Sequence, residues 1–223
     1  MSSPVEIKRA KKPFQFVAAS HLIRVGLEIA HTLGEFSQSL RTCSDASIFN
    51  HTFQSLEAHH YVSFSSDFAQ WVLAGCNEAP LAERMAMLDL REIVALADLR
   101  SMLVAIVEEH LRDHPASAGR TAFEPFHFCE AREVTVPFDA PVWTLQEMAG
   151  GIRRLGHQSL HYHFISSRLR LRLQTNDFSY WIERHLGLPR LADRLNRIDF
   201  YNDTLDDLRR DLLALLESPK AYE

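Results

Sequence analysis

Ser47-Ile48-Phe49-Asn50-His51 returns 112 residues later as Ser159-Leu160-His161-Tyr162-His163, and this recurrence governs the reading of the whole chain. At the same offset Phe14-Gln15-Phe16 reappears as Phe126-His127-Phe128. Thr32-Leu33-Gly34-Glu35-Phe36 likewise reappears as Thr144-Leu145-Gln146-Glu147-Met148. The offset then falls to 110, where Ser66-Asp67-Phe68-Ala69-Gln70-Trp71 matches Asn176-Asp177-Phe178-Ser179-Tyr180-Trp181. Leu81-Ala82-Glu83-Arg84-Met85 follows suit as Leu191-Ala192-Asp193-Arg194-Leu195. Blocks recurring in one order imply a tandem duplication, with the first copy's two extra residues near Ala58-His59-His60-Tyr61. The expected organisation is a flexible basic tail over 1–12, repeat units over 13–111 and 122–217, a linker over 112–121 and a C-terminal tail over 218–223. The linker is marked by Pro, Gly, Ser and charge, without apolar periodicity.

Within a copy, the leading Phe-x-Phe alternates as a strand does, and Glu133-Val134-Thr135-Val136 extends it before Pro137. The matching Leu22-Ile23-Arg24-Val25 fits a strand or a helix equally. Thr32-x-x-Glu35 and Thr144-x-x-Glu147 have capping-box spacing. Ser47 and Ser159 stand where a second helix should begin, and Ser66-Asp67 and Asn176-Asp177 where a third should. The third carries Phe68, Trp71 and Val72, or Phe178, Trp181 and Ile182, as an apolar stripe of core residues. Gly75 and Gly187 are the expected left-handed residues past its end. Pro80 and Pro189 introduce a fourth helix; a fifth runs from near Asp98 to Leu111 and, in the second copy, from Thr204 to Leu216. The fold expected is mainly α with short extended segments, of the α+β class, its two repeats packed as a pseudo-twofold pair.

Composition narrows function by exclusion. With 223 residues, 46% hydrophobic and 24% charged, the chain has apolar material for a core. A net charge of −5 gives no electrostatic reason to bind nucleic acid or an anionic membrane. The basic run Lys8-Arg9-Ala10-Lys11-Lys12 reads as a solvated tail. Cys43, Cys76 and Cys129 form no C-x-x-C pair, so neither a disulfide framework nor a zinc knuckle is expected. No signal-peptide core and no run of about 20 apolar residues is present, so a cytoplasmic protein without membrane partners is expected. Phosphate-loop, dinucleotide and nucleophile-elbow motifs are missing, and Gly150-Gly151 falls inside an expected helix.

Histidine, at 12, is the one unusual count. His51 and His163 are set apart by being equivalent. Ser47, His51 and Ser55 line one helix face, as do Ser159, His163 and Ser167, and a buried polar stripe requires partners. One expectation is that each imidazole bonds a backbone carbonyl or the capping carboxylate, Glu35 or Glu147, inside its own unit. A sharper one has His51 and His163 converge across a cleft between the copies, with His59 and His60 nearby. Three imidazoles with a carboxylate such as Glu57 would suit Zn²⁺ or Ni²⁺ with an open position. Arg168, Arg170 and Arg172 follow His163 and read as a solvated surface, or alternatively Arg168 with Arg172, which share a face, would grip phosphate or carboxylate. Asp67 and Asp177 recur, which fits helix capping as well as chemistry.

The blocks F-x-F, T-L-x-E, S-[IL]-x-x-H and [SN]-D-F-x-x-W, with the late Leu-rich helix, resemble an uncharacterised bacterial family of α-rich domains of unknown function. The resemblance spans nearly the whole chain, is best from Phe126 to Glu217 and weakest around His59-His60. It implies a link to carbohydrate metabolism, since such proteins occur beside glycosyltransferase or trehalose-type genes, and it carries over no catalytic residues. The function expected is a non-catalytic binding or accessory protein for a partner protein or small polar ligand, with homo-oligomerisation left open. The alternative is a metal-dependent or sugar- or sugar-phosphate-acting enzyme that uses histidines in the cleft between the copies.

Overall fold

A computed structural model of the chain describes residues 8–54, 64, 66–171, 173–200, 204–218 and 221. Ser55, Glu57, His59, His60 and Arg172 therefore lie outside the described residues. Two long strands, β1 (Val17–Thr32) and β2 (Thr121–Pro137), pair as a two-stranded sheet. The Phe138 amide donates to the Phe16 carbonyl, and a side chain on Gly26 would overlap the Phe128 carbonyl oxygen. As β1 advances ten residues, β2 recedes ten, so the pairing is antiparallel and even-numbered residues stand opposite even-numbered ones. The ambiguous Leu22–Val25 stretch is strand, and the extended elements are much longer than expected.

Helices follow each strand: α1 (Leu33–Thr42), α2 (Asp45–Phe49), α3 (Asp67–Ala74), α4 (Ala79–Ala86) and α5 (Leu96–Asp113) after β1. After β2 come α6 (Leu145–Arg154), α7 (His157–His161), α8 (Ser167–Arg170), α9 (Asp177–Trp181), α10 (Pro189–Asn196) and α11 (Leu205–Leu216). Side-chain caps explain five of these starts. Thr32 and Thr144 accept from the amides of Glu35 and Glu147, and Thr204 caps α11 in a box with Asp207. The second helix begins earlier than expected, at Ser44 and Gly156, so that Ser47 and Ser159 sit one turn in. Gly187 is left-handed at φ 64°, but Gly75 is not, at φ −84°. Gly75 is required for closeness instead: a Cβ there would stand 2.9 Å from the Trp71 carbonyl oxygen.

The described residues form two compact units, whose limits differ from 13–111 and 122–217. The central unit is Leu22–Arg132; the bipartite unit joins the described parts of Met1–His21 and Glu133–Glu223. Both strands cross the division, so Phe14 and Phe16 share a unit with α6–α11, and Phe126 and Phe128 share one with α1–α5. In the bipartite unit Phe14, Phe16, Phe178 and Trp181 form one aromatic cluster. In the central unit Phe36, Phe68, Trp71, Phe126 and Phe128 form another. Both tryptophans are buried, as expected, and each Nε1–H donates to a backbone carbonyl, Glu124 at 2.8 Å for Trp71 and Lys12 at 2.7 Å for Trp181.

The backbone of the expected tail and part of the expected linker make packed contacts. The Ala10 and Lys11 amides donate to the carbonyls of Trp143 and His185, and Arg9 lies 4.6 Å over the Trp143 ring. Lys8, Arg9, Lys11 and Lys12 stay exposed while the backbone beneath them pairs, which charge composition does not reveal. In the expected linker, α5 runs to Asp113 and a 3₁₀ turn spans Pro115–Gly119, with Ser117 buried against Glu78. Among the described residues no helix is long and apolar enough to cross a membrane.

Candidate functional site

Below α2 and α7 the helix widens into π-helical turns, Asn50–Gln54 and Tyr162–Ser166, which carry His51 and His163. In the bipartite unit His163 is 2% exposed, and Phe14, Phe16 and Phe178 stand 5.1, 6.0 and 5.5 Å from it. Its Nδ1 meets Asp177 Oδ2 at 2.8 Å and its Nε2 accepts the Val17 amide at 3.0 Å. One turn earlier on the same stripe, Ser159 Oγ accepts the Ala19 amide at 3.2 Å. Four helical residues rise about 6 Å and two strand residues about 6.8 Å, so a serine–histidine stripe matches successive outward amides of β1. The helix serves the strand edge where a third strand would otherwise pair.

The central unit repeats the arrangement around His51, which is 5% exposed. His51 Nδ1 meets Asp67 Oδ2 at 2.7 Å, and Nε2 accepts the Cys129 amide at 2.7 Å. Phe126 and Phe68 stand 4.7 and 5.3 Å from the ring. Ser47 Oγ, though buried, has no hydrogen-bond partner among the described residues, so here only the histidine forms a rung.

The bonding fixes the tautomer. A backbone amide can only donate, so Nε2 must present its lone pair, and the single ring proton sits on Nδ1, donated to the carboxylate. A general base or a metal ligand needs a ring nitrogen that can face substrate or ion. Neither histidine offers one. Each is enclosed by residues of its own unit. The partner is Asp67 or Asp177, not the capping Glu35 or Glu147: Glu35 Oε2 accepts the His31 amide, and Glu147 Oε2 those of Trp143 and Thr144.

The remaining candidates are dispersed. Ser167 Oγ donates to the His163 carbonyl and accepts the Asp177 amide, supporting the pair from behind. Arg170 reaches Asp177 Oδ2 at 2.6 Å and lies 4.5 Å over the Tyr162 ring. Arg168 is 4% exposed: Nε and Nη1 donate to the carbonyls of Phe164 and Leu173, and the guanidinium lies 4.6 Å from the Phe200 ring. It braces the core and presents nothing to a phosphate. His157 and His161, four residues apart, do not converge: His157 bonds Asp206, and the fully buried His161 contacts Ser166. Among the described residues no group of three or more His, Cys, Asp and Glu side chains is placed to hold a metal.

A family model described as "Family of unknown function (DUF5752)" matches residues 11–217. The chain belongs to DUF5752. A solved structure, "The structure of OrfY from Thermoproteus tenax", is similar to this DUF5752 chain at TM-score 0.82 and 27% identity, covering 97% of this chain and 100% of that one. A search of curated proteins found no match.

Sequence reasoning on this DUF5752 chain missed Asp67 and Asp177 as imidazole partners, although both recur with the histidines. It also missed Glu130, 8% exposed, which bonds the Ser44 hydroxyl, Arg24 at 2.5 Å and Arg132 at 3.5 Å. The Ser44 bond first, then Arg24, holds this carboxyl below the ordinary 4.5. A depressed folded-state value means the carboxylate's stabilisation is complete above about 4.5 and is lost as pH falls through the lower folded value. Glu130→Gln is therefore expected to cost about 1–2 kcal/mol at pH 7. In urea titrations the gap from wild type should close towards pH 3; an equal gap at both pH values would contradict the ion-pair role.

Proposed function

We propose that this DUF5752 chain is a non-catalytic binding or accessory protein, acting through a partner protein or small polar ligand. One observation carries the reading: both nitrogens of each recurring imidazole are already bonded, Nδ1 to an aspartate and Nε2 to a strand amide. The residues with the strongest claim to chemistry thus act as strand anchors. We further propose that the chain is two copies of one unit. The support is the ordered sequence blocks together with matched local bonds: His51–Asp67 and His163–Asp177, Cys129–His51 and Val17–His163, Trp71–Glu124 and Trp181–Lys12. The family resemblance is the support for a setting in carbohydrate metabolism.

The test against a metal enzyme is metal content. Protein purified without chelator, and its His51→Ala and His163→Ala variants, should carry the same substoichiometric zinc and nickel by mass spectrometry. One equivalent of either metal in wild type, lost in a variant, would overturn the anchoring role and restore the enzyme reading.

A further inference from the structure

Around Phe126–Glu130 the ribbon of β1 and β2 is two-faced, whereas Leu22, Val134 and Val136 of the even-numbered face are exposed by 59, 55 and 57%. On β2, Ala122, Phe126, Phe128 and Glu130 are buried, while Phe123, Pro125 and His127 between them are exposed. On β1 the same odd-numbered face carries Ile23, Val25, Leu27 and Ile29, exposed by 61, 59, 98 and 41%. Phe123 is exposed by 88%. Fully exposed residues of these kinds present about 170–240 Å² each, so the five together show roughly 700 Å² of nearly uncharged surface to water. That is above the largest apolar patch of most monomers, about 300–600 Å².

We propose that this face is the interface of a homodimer, packed against the same face of a second copy. The area decides for a stable partner, since a standard interface buries about 800 Å² per side. The charge pattern points to a second copy: between Ile23 and His31 and between Phe123 and Ala131 the odd-numbered face holds His31 and His127 but no carboxylate, lysine or arginine with which to select a charged partner. A twofold contact also suits the spacing. Two copies of β1 crossing antiparallel near Gly26 place Ile23 of each copy over Ile29 of the other, and Val25 over Leu27, so one apolar pattern complements itself. All these residues belong to the central unit, and the inference does not depend on the anchoring role of His51 and His163.

Sedimentation equilibrium of the full chain, with Val25→Lys and Leu27→Lys combined in one variant, tests it. Wild type is expected to be dimeric at 10 μM. The double variant is expected to be monomeric, with at least a hundredfold weaker association and unchanged helical circular dichroism, because both positions are solvent-facing within one copy. A Val25→Ala, Leu27→Ala variant, which adds no charge, should show intermediate association. A wild type that stays monomeric at 100 μM overturns the proposal, as does a dimer that persists in the folded lysine variant.

Discussion

Alanine at Gly151 is expected to destabilise the protein by about 3 kcal/mol, although alanine is the better helix former. Gly151 lies inside α6, and a Cβ there would enter the Phe16 ring, 2.5 Å from Cζ and 2.9 Å from Cδ2. Phe16 is fully buried in the cluster around His163, so its ring has no free space to move into. The glycine lets an aromatic ring lie directly on helix backbone. Its neighbour is the control. At Gly150 the nearest atom to a new Cβ is Arg154 Nη1 at 3.7 Å, an ordinary contact. Gly150→Ala should therefore stabilise by about 0.5–1 kcal/mol through helix propensity and the unfolded chain. Two adjacent, chemically identical substitutions are thus expected to shift the urea midpoint in opposite directions; shifts of the same sign would sink the packing assignment.

His163→Ala has the other large expected effect, a loss of about 3–4 kcal/mol. The substitution deletes a charge-assisted bond, leaves the Val17 amide without its acceptor and opens a cavity among Phe14, Phe16 and Phe178. Asp177 keeps Arg170 at 2.6 Å, which limits the loss on the carboxylate side. His163→Gln is expected to recover at most half of it. A glutamine can accept the amide through its oxygen, but it lacks the fixed ring geometry that serves both partners at once. An alanine variant as stable as wild type in equilibrium unfolding would show that the anchor carries no weight.

What was legible in the sequence was what is local. The capping threonines at 32, 144 and 204, the prolines opening α4 and α10, and the apolar stripe of Phe178, Trp181 and Ile182 are fixed within one or two turns. The serine–histidine stripe was legible as well, along with the need for buried partners. Who those partners are was not. Both copies offer the same Trp, His and Asp, so periodicity is silent on which set of helices receives Phe14 and Phe16. The α-helical register also could not reveal the π-helical turns at His51 and His163, because an extra residue in a turn leaves no compositional trace. Leu22–Val25 stayed ambiguous for a related reason: on this ribbon its apolar residues face water, so they show no alternation to separate strand from helix.

Long-range ¹H–¹⁵N correlation of the imidazole rings, near neutral pH, tests the central idea most directly. Both His51 and His163 should show a protonated Nδ1 and an unprotonated Nε2, with the Val17 and Cys129 amides strongly protected from exchange. An Nε2–H tautomer at either residue, or a ring nitrogen shifted by added Zn²⁺, would contradict it.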